Sequence, residues 1–154
     1  MHNMNVKIIA TNRKARHNYL LLETFEAGLV LQGSEIKSIR AGHISIKQAY
    51  VRVDGEEAWL LEAHIAPYEQ ASRYNHEPTR PRKLLLNKKE IYKLWDEVRR
   101  KGTTVIPTKV YLKNGRAKVE IALARGKKLH DKRQSIAERD AQRQVEREMR
   151  QSGY

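Results

Sequence analysis

Apolar and polar residues alternate along several short stretches of this chain. The clearest runs from Lys109 to Lys113, turns at Asn114-Gly115, and resumes from Arg116 to Ala124. Asn-Gly between alternating runs predicts a tight antiparallel hairpin. With that pair at the turn, Leu112 faces Ala117 and Val110 faces Val119 on one side. Lys109 then faces Glu120, an opposite-charge pair, on the other. A second hairpin is expected around Asp54-Gly55, between residues 49–53 and 57–65. Residues 17–25 read as one more strand, and residues 6–10 as a short one.

Two segments carry a helical period instead. Asn87 followed three residues on by Glu90 predicts an N-cap with its reciprocal partner. Ile91, Leu94, Trp95 and Val98 then share one face, and Gly102 is placed to end the helix. A shorter helix is expected with Ser34 as its cap, Ile36 and Ile39 inward and Gly42 at its close. Residues 66–83 hold three prolines and no period, which predicts a long functional or mobile loop. Hairpins interrupted by helices point to a small antiparallel barrel or sandwich with peripheral helices, not a parallel sheet.

Charge changes this picture. The 154 residues carry net charge +13, of which +4 lies in the stretch from Arg125 onward. That stretch is rich in charge and poor in apolar side chains, so it predicts a tail that orders only on a polyanion. Arg139, Arg143 and Arg147 recur at four-residue spacing and form one cationic row when helical. The remaining +9 requires a basic face on the folded part as well. Such a field favours anionic partners, nucleic acid foremost. A membrane surface competes less well, because no segment is long and apolar enough to span and no lipidation signature appears. The chain has no cysteine, which excludes disulfides and thiolate metal sites. The first residues lack a signal-peptide apolar block, so a cytoplasmic location is expected.

No Walker loop, nucleophile elbow or dinucleotide turn is present, and the six histidines stand at no metal-ligand spacing. Neither a cofactor nor a metal is expected, and an enzyme is not indicated. Basic clusters are. Arg13, Lys14, Arg16 and His17 follow Asn12 without an intervening acid, and Arg82 and Lys83 abut three leucines. Lysines and arginines neutralise phosphates, Asn12 can meet a base edge or a 2′-hydroxyl, and a leucine at the edge of its cluster can cover an exposed base. The hairpin tip from Lys113 to Arg116, with Lys118 nearby, is a weaker cationic signal. Aromatic residues are few and no helix of the body carries a dense row of base-reading side chains. Shape recognition of a folded RNA therefore fits better than groove reading of DNA or a single-strand platform. A general RNA-binding or ribosomal protein remains open at this level.

Five stretches narrow the choice: residues 9–19 (IATNRKARHNY), 23–42, 63–70, 81–91 (PRKLLLNKKEI) and 122–133 (ALARGKKLHDKR). Together they resemble the bacterial SsrA-binding protein family, also called small protein B, over almost the whole chain. The resemblance implies an oligonucleotide-binding-type β-barrel, residues 1–124, followed by a basic tail, residues 125–154, disordered when free and helical on the ribosome. It implies binding to the tRNA-like domain of transfer-messenger RNA. Delivery to stalled ribosomes with elongation factor Tu would follow, for rescue and peptide tagging. The expected RNA contacts are Asn12, Arg13, Lys14, Arg16, His17, Glu26, Arg82, Lys83 and Leu85. Glu26 would accept from a guanine, because a carboxylate on a cationic face is of little use against phosphate. Gly126, Lys127, Lys128, His130, Asp131, Lys132 and Arg133 match the start of a tail directed to the decoding centre. Arg139, Arg143 and Arg147 would line the empty mRNA channel of the small subunit.

Overall fold

The computed structural model describes residues 5–126, together with residues 143, 144 and 147. Nine strands and three α-helices follow one another among the described residues. They are β1 (Val6–Thr11), α1 (Arg13–Asn18), β2 (Tyr19–Leu29), α2 (Gly33–Arg40), β3 (Ile44–Ser45), β4 (Tyr50–Val53), β5 (Ala58–Leu61), β6 (His64–Ile65), β7 (Arg82–Leu85), α3 (Lys88–Lys101), β8 (Thr104–Lys113) and β9 (Arg116–Gly126).

The strands pair in the order β8-β4-β5-β7-β2-β9, and β9 returns to β8, so the sheet closes into an antiparallel barrel. Closure leaves no open edge within the ring. β1 adds to the far end of β8, and β3 and β6 pair separately. The inward positions come from alternation. Phe25, Ala27, Leu60, Leu84, Val105, Val110, Val119 and Ile121 fill the interior. The mainly β fold with flanking helices is the class the sequence predicts.

The β8–β9 hairpin has the expected register, with Leu112 opposite Ala117, Val110 opposite Val119 and Lys109 opposite Glu120. Asn114 and Gly115 turn with positive φ of 51° and 79°, the conformation that the tightest hairpin turn requires. The β4–β5 hairpin forms at Asp54-Gly55, where the Asp54 carboxylate accepts from the Glu56 and Glu57 amides.

α3 is capped as read: Asn87 accepts from the Glu90 amide, Glu90 accepts from the Asn87 amide, and Gly102 closes it in the left-handed region. Ile91 and Leu94 are buried. α2 starts two residues earlier than expected. Gln32, not Ser34, is its N-cap, with Glu35 completing the reciprocal pair. Ser34 lies inside the helix, buried against the His76 ring at 2.8 Å. A hydroxyl with a buried imidazole partner is more useful there than at a cap. The segment from 66 to 81 is less irregular than its prolines suggest: it contains a 3-10 turn at Glu69–Tyr74, whose two ends are joined by paired hydrogen bonds between Tyr68 and Asn75.

The expected barrel boundary at residue 124 falls short. β9 continues through Arg125 and Gly126, which pair with Leu20 and Tyr19 of β2. The expected tail residues Lys127, Lys128, His130, Asp131, Lys132, Arg133 and Arg139 lie outside the described residues. Residues 143, 144 and 147 are helical and exposed.

Candidate nucleic-acid interface

Register assembles a continuous outer face across five strands. Gly28 of β2 stands opposite Leu85 of β7 on one side and Lys118 of β9 on the other. Lys118 stands opposite Tyr111 of β8, and Tyr111 opposite Ile8 of β1. Residues opposite each other in antiparallel strands point to the same face. Leu85, Lys118, Tyr111 and Ile8 therefore form one row, with a gap at Gly28. Two residues along, Glu26, Glu120, Lys109 and Thr11 form the next row. Lys113 and Arg116 form a third.

Leu85 is 56% exposed, whereas its neighbour Leu84 is buried. A leucine held open on a rigid strand offers apolar area to a flat partner. Its floor is Gly28, whose missing Cβ would stand 3.3 Å from the Leu85 Cβ and 3.7 Å from the Lys118 Nζ. The φ of Gly28 is not positive, so backbone strain does not require glycine here. Glycine instead lets the wall beside Leu85 stay low. Leu85, Gly28, Leu31, Ile36, Arg116 and Lys118 line a shallow groove of about 370 Å³.

Glu26 is fixed rather than free. The Tyr111 hydroxyl donates to its Oε2 at 2.5 Å, and the Lys113 Nζ lies 3.2 Å from its Oε1. The Tyr111 hydrogen bond, with help from Lys113 and Lys118, outweighs burial and lowers the Glu26 pKa. Burial and the adjacent carboxylate raise that of Tyr111, so the phenol stays a donor. Glu26 is consequently an ionised acceptor of set orientation. Its cross-strand neighbour Glu120 is a like charge, and it has its own partners in the Thr108 hydroxyl and Lys109. Four cations, Lys109, Lys113, Arg116 and Lys118, thus share the face with two carboxylates, leaving it positive.

Thr11 lies three strands from Glu26 in the same row, about 14 Å at roughly 4.8 Å per strand. α1 follows it at once. Ala15 packs inward, while Arg13, Lys14, Arg16 and His17 are exposed. These four expected contacts are therefore presented together at the flank of the Glu26 face, on a helix where the sequence suggested only a basic run. Asn12 is half-buried, and its amide donates to the carbonyls of Pro107 at 3.1 Å and Ile46 at 3.5 Å. Its donor half ties the β1–α1 turn to β8, so only its carbonyl oxygen remains for a base edge.

Arg82 is a correction. It was expected to meet phosphate, but its side chain has no exposed surface. Its Nε donates to Glu35 Oε2 at 2.6 Å, and its terminal nitrogens donate to the carbonyls of Ala63, Pro78 and Glu77. Arg80 binds the other oxygen of Glu35. Alternation explains this: with Leu85 outward, Lys83 is outward and Arg82 points into the barrel wall. Burial alone would raise the Glu35 pKa, but Arg80, the Gln32 amide and Arg82 hold it below the ordinary value. Lys83 faces solvent and lies 3.4 Å from the Glu57 carboxylate, an exposed pair of small energetic weight.

Tyr111 and Gly28 were not among the expected site residues, and Lys113 and Lys118 carried only the weaker signal of a cationic hairpin tip. The hairpin register aligned Lys118 with Tyr111. Only the pairing of β2 with β9 and β7 places them beside Glu26 and Leu85.

A family model described as SmpB protein matches residues 9–151. The chain belongs to the SmpB family. An SsrA-binding protein of Desulforudis audaxviator is 56% identical over 94% of this chain and 94% of its own length. One of Desulfitobacterium hafniense is 54% identical over 99% and 98%. A solved SmpB chain, described under "tmRNA-SmpB: a journey to the center of the bacterial ribosome", is 49% identical and covers 77% of this chain and 84% of its own, with a TM-score of 0.64. The SmpB relatives carry a name that describes binding and not catalysis. The match extends past the end of β9, to residue 151. No described helix is long and apolar enough to cross a membrane.

Proposed function

We propose that this chain binds the tRNA-like domain of transfer-messenger RNA through the outer face of β7-β2-β9-β8. The observation that carries the reading is the convergence of exposed Leu85 over Gly28 with Glu26, an acceptor locked by Tyr111 and Lys113, within a cationic field. Leu85 covers a base face and Glu26 accepts from a guanine edge. Lys118, Lys113 and α1 neutralise phosphates on either side. The close likeness to SsrA-binding proteins, and to a chain solved under a ribosome heading, supports this partner.

The barrel then delivers the RNA, together with elongation factor Tu, to a stalled ribosome in the cytoplasm. The tail from Lys127 onward probes the decoding centre with Lys128, His130 and Lys132. It enters the vacant mRNA channel with the row Arg139, Arg143 and Arg147. That channel is empty only where no message extends past the decoding site, which gives the tail its selectivity.

Sequencing the RNA that copurifies with the full chain tests the partner. One tRNA-like species should dominate, and Leu85→Asp should remove it while the protein stays folded. Recovery of many structured RNAs in proportion to their abundance would instead indicate a general RNA-binding protein.

A further inference from the structure

We propose that Asn114 is a modification site: it deamidates spontaneously to aspartate and isoaspartate, and the new carboxylate weakens RNA binding by aged copies of the chain. The weakening rests on the reading of the adjacent face as the RNA interface, whereas the chemistry does not. The main-chain nitrogen of Gly115 attacks the Cγ of Asn114. A bond forms between them, the Cγ–Nδ2 bond breaks, and the side-chain nitrogen leaves as ammonia with the Gly115 amide proton. Water then opens the resulting five-membered imide. Cleavage at Cγ gives aspartate, and cleavage at the main-chain carbonyl gives isoaspartate. One water is consumed and one ammonia released in either case.

Several features single out this position. Asn114 is the only asparagine of the chain followed by glycine. Gly115 has no Cβ to shield its nitrogen, and a Cβ built there would meet nothing within 4 Å. Its amide makes no hydrogen bond among the described residues, so the attacking atom is free. The Asn114 Oδ1 accepts from the Asn5 amide at 3.3 Å, which polarises the carbon under attack. Its Nδ2, which must leave, has no partner among the described residues. By contrast, the Asn12 and Asn75 amides donate to main-chain carbonyls, and Asn87 caps α3. Each of these precedes a residue with a side chain. Lys113, Arg116 and Lys118 line one groove of about 420 Å³ with Asn114 and Glu26. Their field stabilises the amide anion that attacks. The turn lies at an exposed tip, where local opening reaches the attack geometry without unfolding the barrel. The product changes the face from four cations against two carboxylates to four against three. Isoaspartate also lengthens the main chain by one carbon within a two-residue turn, which disturbs the pairing of Lys113 with Arg116.

The test incubates the full chain in mildly alkaline buffer. At intervals, endoproteinase Glu-C releases the peptide spanning residues 98–120 for mass spectrometry, and a protein-isoaspartate methyltransferase measures isoaspartate. A synthetic peptide of residues 109–120 sets the pace of an unconstrained Asn-Gly pair. Asn114 should convert before every other asparagine of the chain. The site is refuted if Asn114 stays intact after the peptide has converted, or if another asparagine converts first. Asn114→Asp should bind the tRNA-like RNA about threefold or more weakly and lower the salt slope by roughly 0.7–0.9, as for one phosphate contact fewer. Asn114→Gly, which keeps a turn tolerant of positive φ, should hold its affinity through the same incubation while the parent declines. Conversion with no loss of affinity would overturn the weakening. Glu26→Ala then separates the two failures: if it also leaves binding unchanged, the reading of the face is wrong, and if it weakens binding, the face stands and this inference alone falls.

Discussion

Replacing Arg82 by methionine separates its structural role from the RNA contact suggested by its sequence neighbours. Methionine retains much of the apolar stem but removes the guanidinium. Glu35, whose side chain has no exposed surface, keeps only Arg80 and the Gln32 amide as partners. The carbonyls of Ala63, Glu77 and Pro78 each lose a donor. Breaking a buried ion pair from one side costs about 3–5 kcal/mol. The persisting Arg80 contact favours the lower end, about 3 kcal/mol. In a barrel of this size that corresponds to a fall in Tm of roughly 10–15 °C. Urea unfolding followed by far-ultraviolet circular dichroism measures it, with Lys83→Met as the comparison. Lys83 is exposed and loosely paired, so its loss should cost no more than about 0.5 kcal/mol. If Arg82→Met unfolded with the same midpoint as Lys83→Met yet lost RNA binding, the guanidinium would be serving RNA and the buried assignment would be wrong.

Other expectations follow from the same geometry. Because Glu35 and Glu26 have lowered pKa values in the folded chain, their stabilisation is present above the ordinary carboxylate value of 4.5. It is lost as pH falls from there through the folded values; acid titration of the urea midpoint should show stability decreasing below about pH 4.5, less steeply in Glu35→Gln. Asn87→Ala removes the α3 cap and should cost about 1 kcal/mol in the same assay, whereas Ser34→Ala disturbs a buried hydroxyl–imidazole contact and not a cap. Glu26→Ala should weaken binding to the tRNA-like RNA about tenfold or more without lowering Tm by more than a few degrees, and filter binding in rising salt should give a log–log slope of roughly −0.7 to −0.9 per phosphate contact. Deleting residues from Lys132 onward should leave that affinity nearly unchanged and abolish peptide tagging; normal tagging by the truncated chain would refute the tail's role.

Local signals were legible wherever the deciding partner lies a few residues away. Asn114-Gly115 set the hairpin and its register because both turn residues tolerate positive φ. Asn87 and Glu90 set the start of α3 because each satisfies the other's backbone. The net charge announced a polyanion partner, and the motif stretches announced the family. Ser34 was misplaced because hydroxyl residues suit both a cap and a buried imidazole contact, and the imidazole of His76 lies 42 positions on.

Only the closed barrel decided which of the charged residues near one another in sequence face outward. Arg82 and Lys83 are adjacent and chemically alike, yet strand alternation sends one to Glu35 and the other to solvent. Glu26, Leu85 and Tyr111 are scattered through the chain, and nothing local links them. The pairing of β2 with β7 and β9 brings them to one face and turns Glu26 into a fixed acceptor. Composition can state how much positive charge a chain carries. Its position relative to one exposed leucine and one held carboxylate is set by hydrogen bonds between strands distant in sequence.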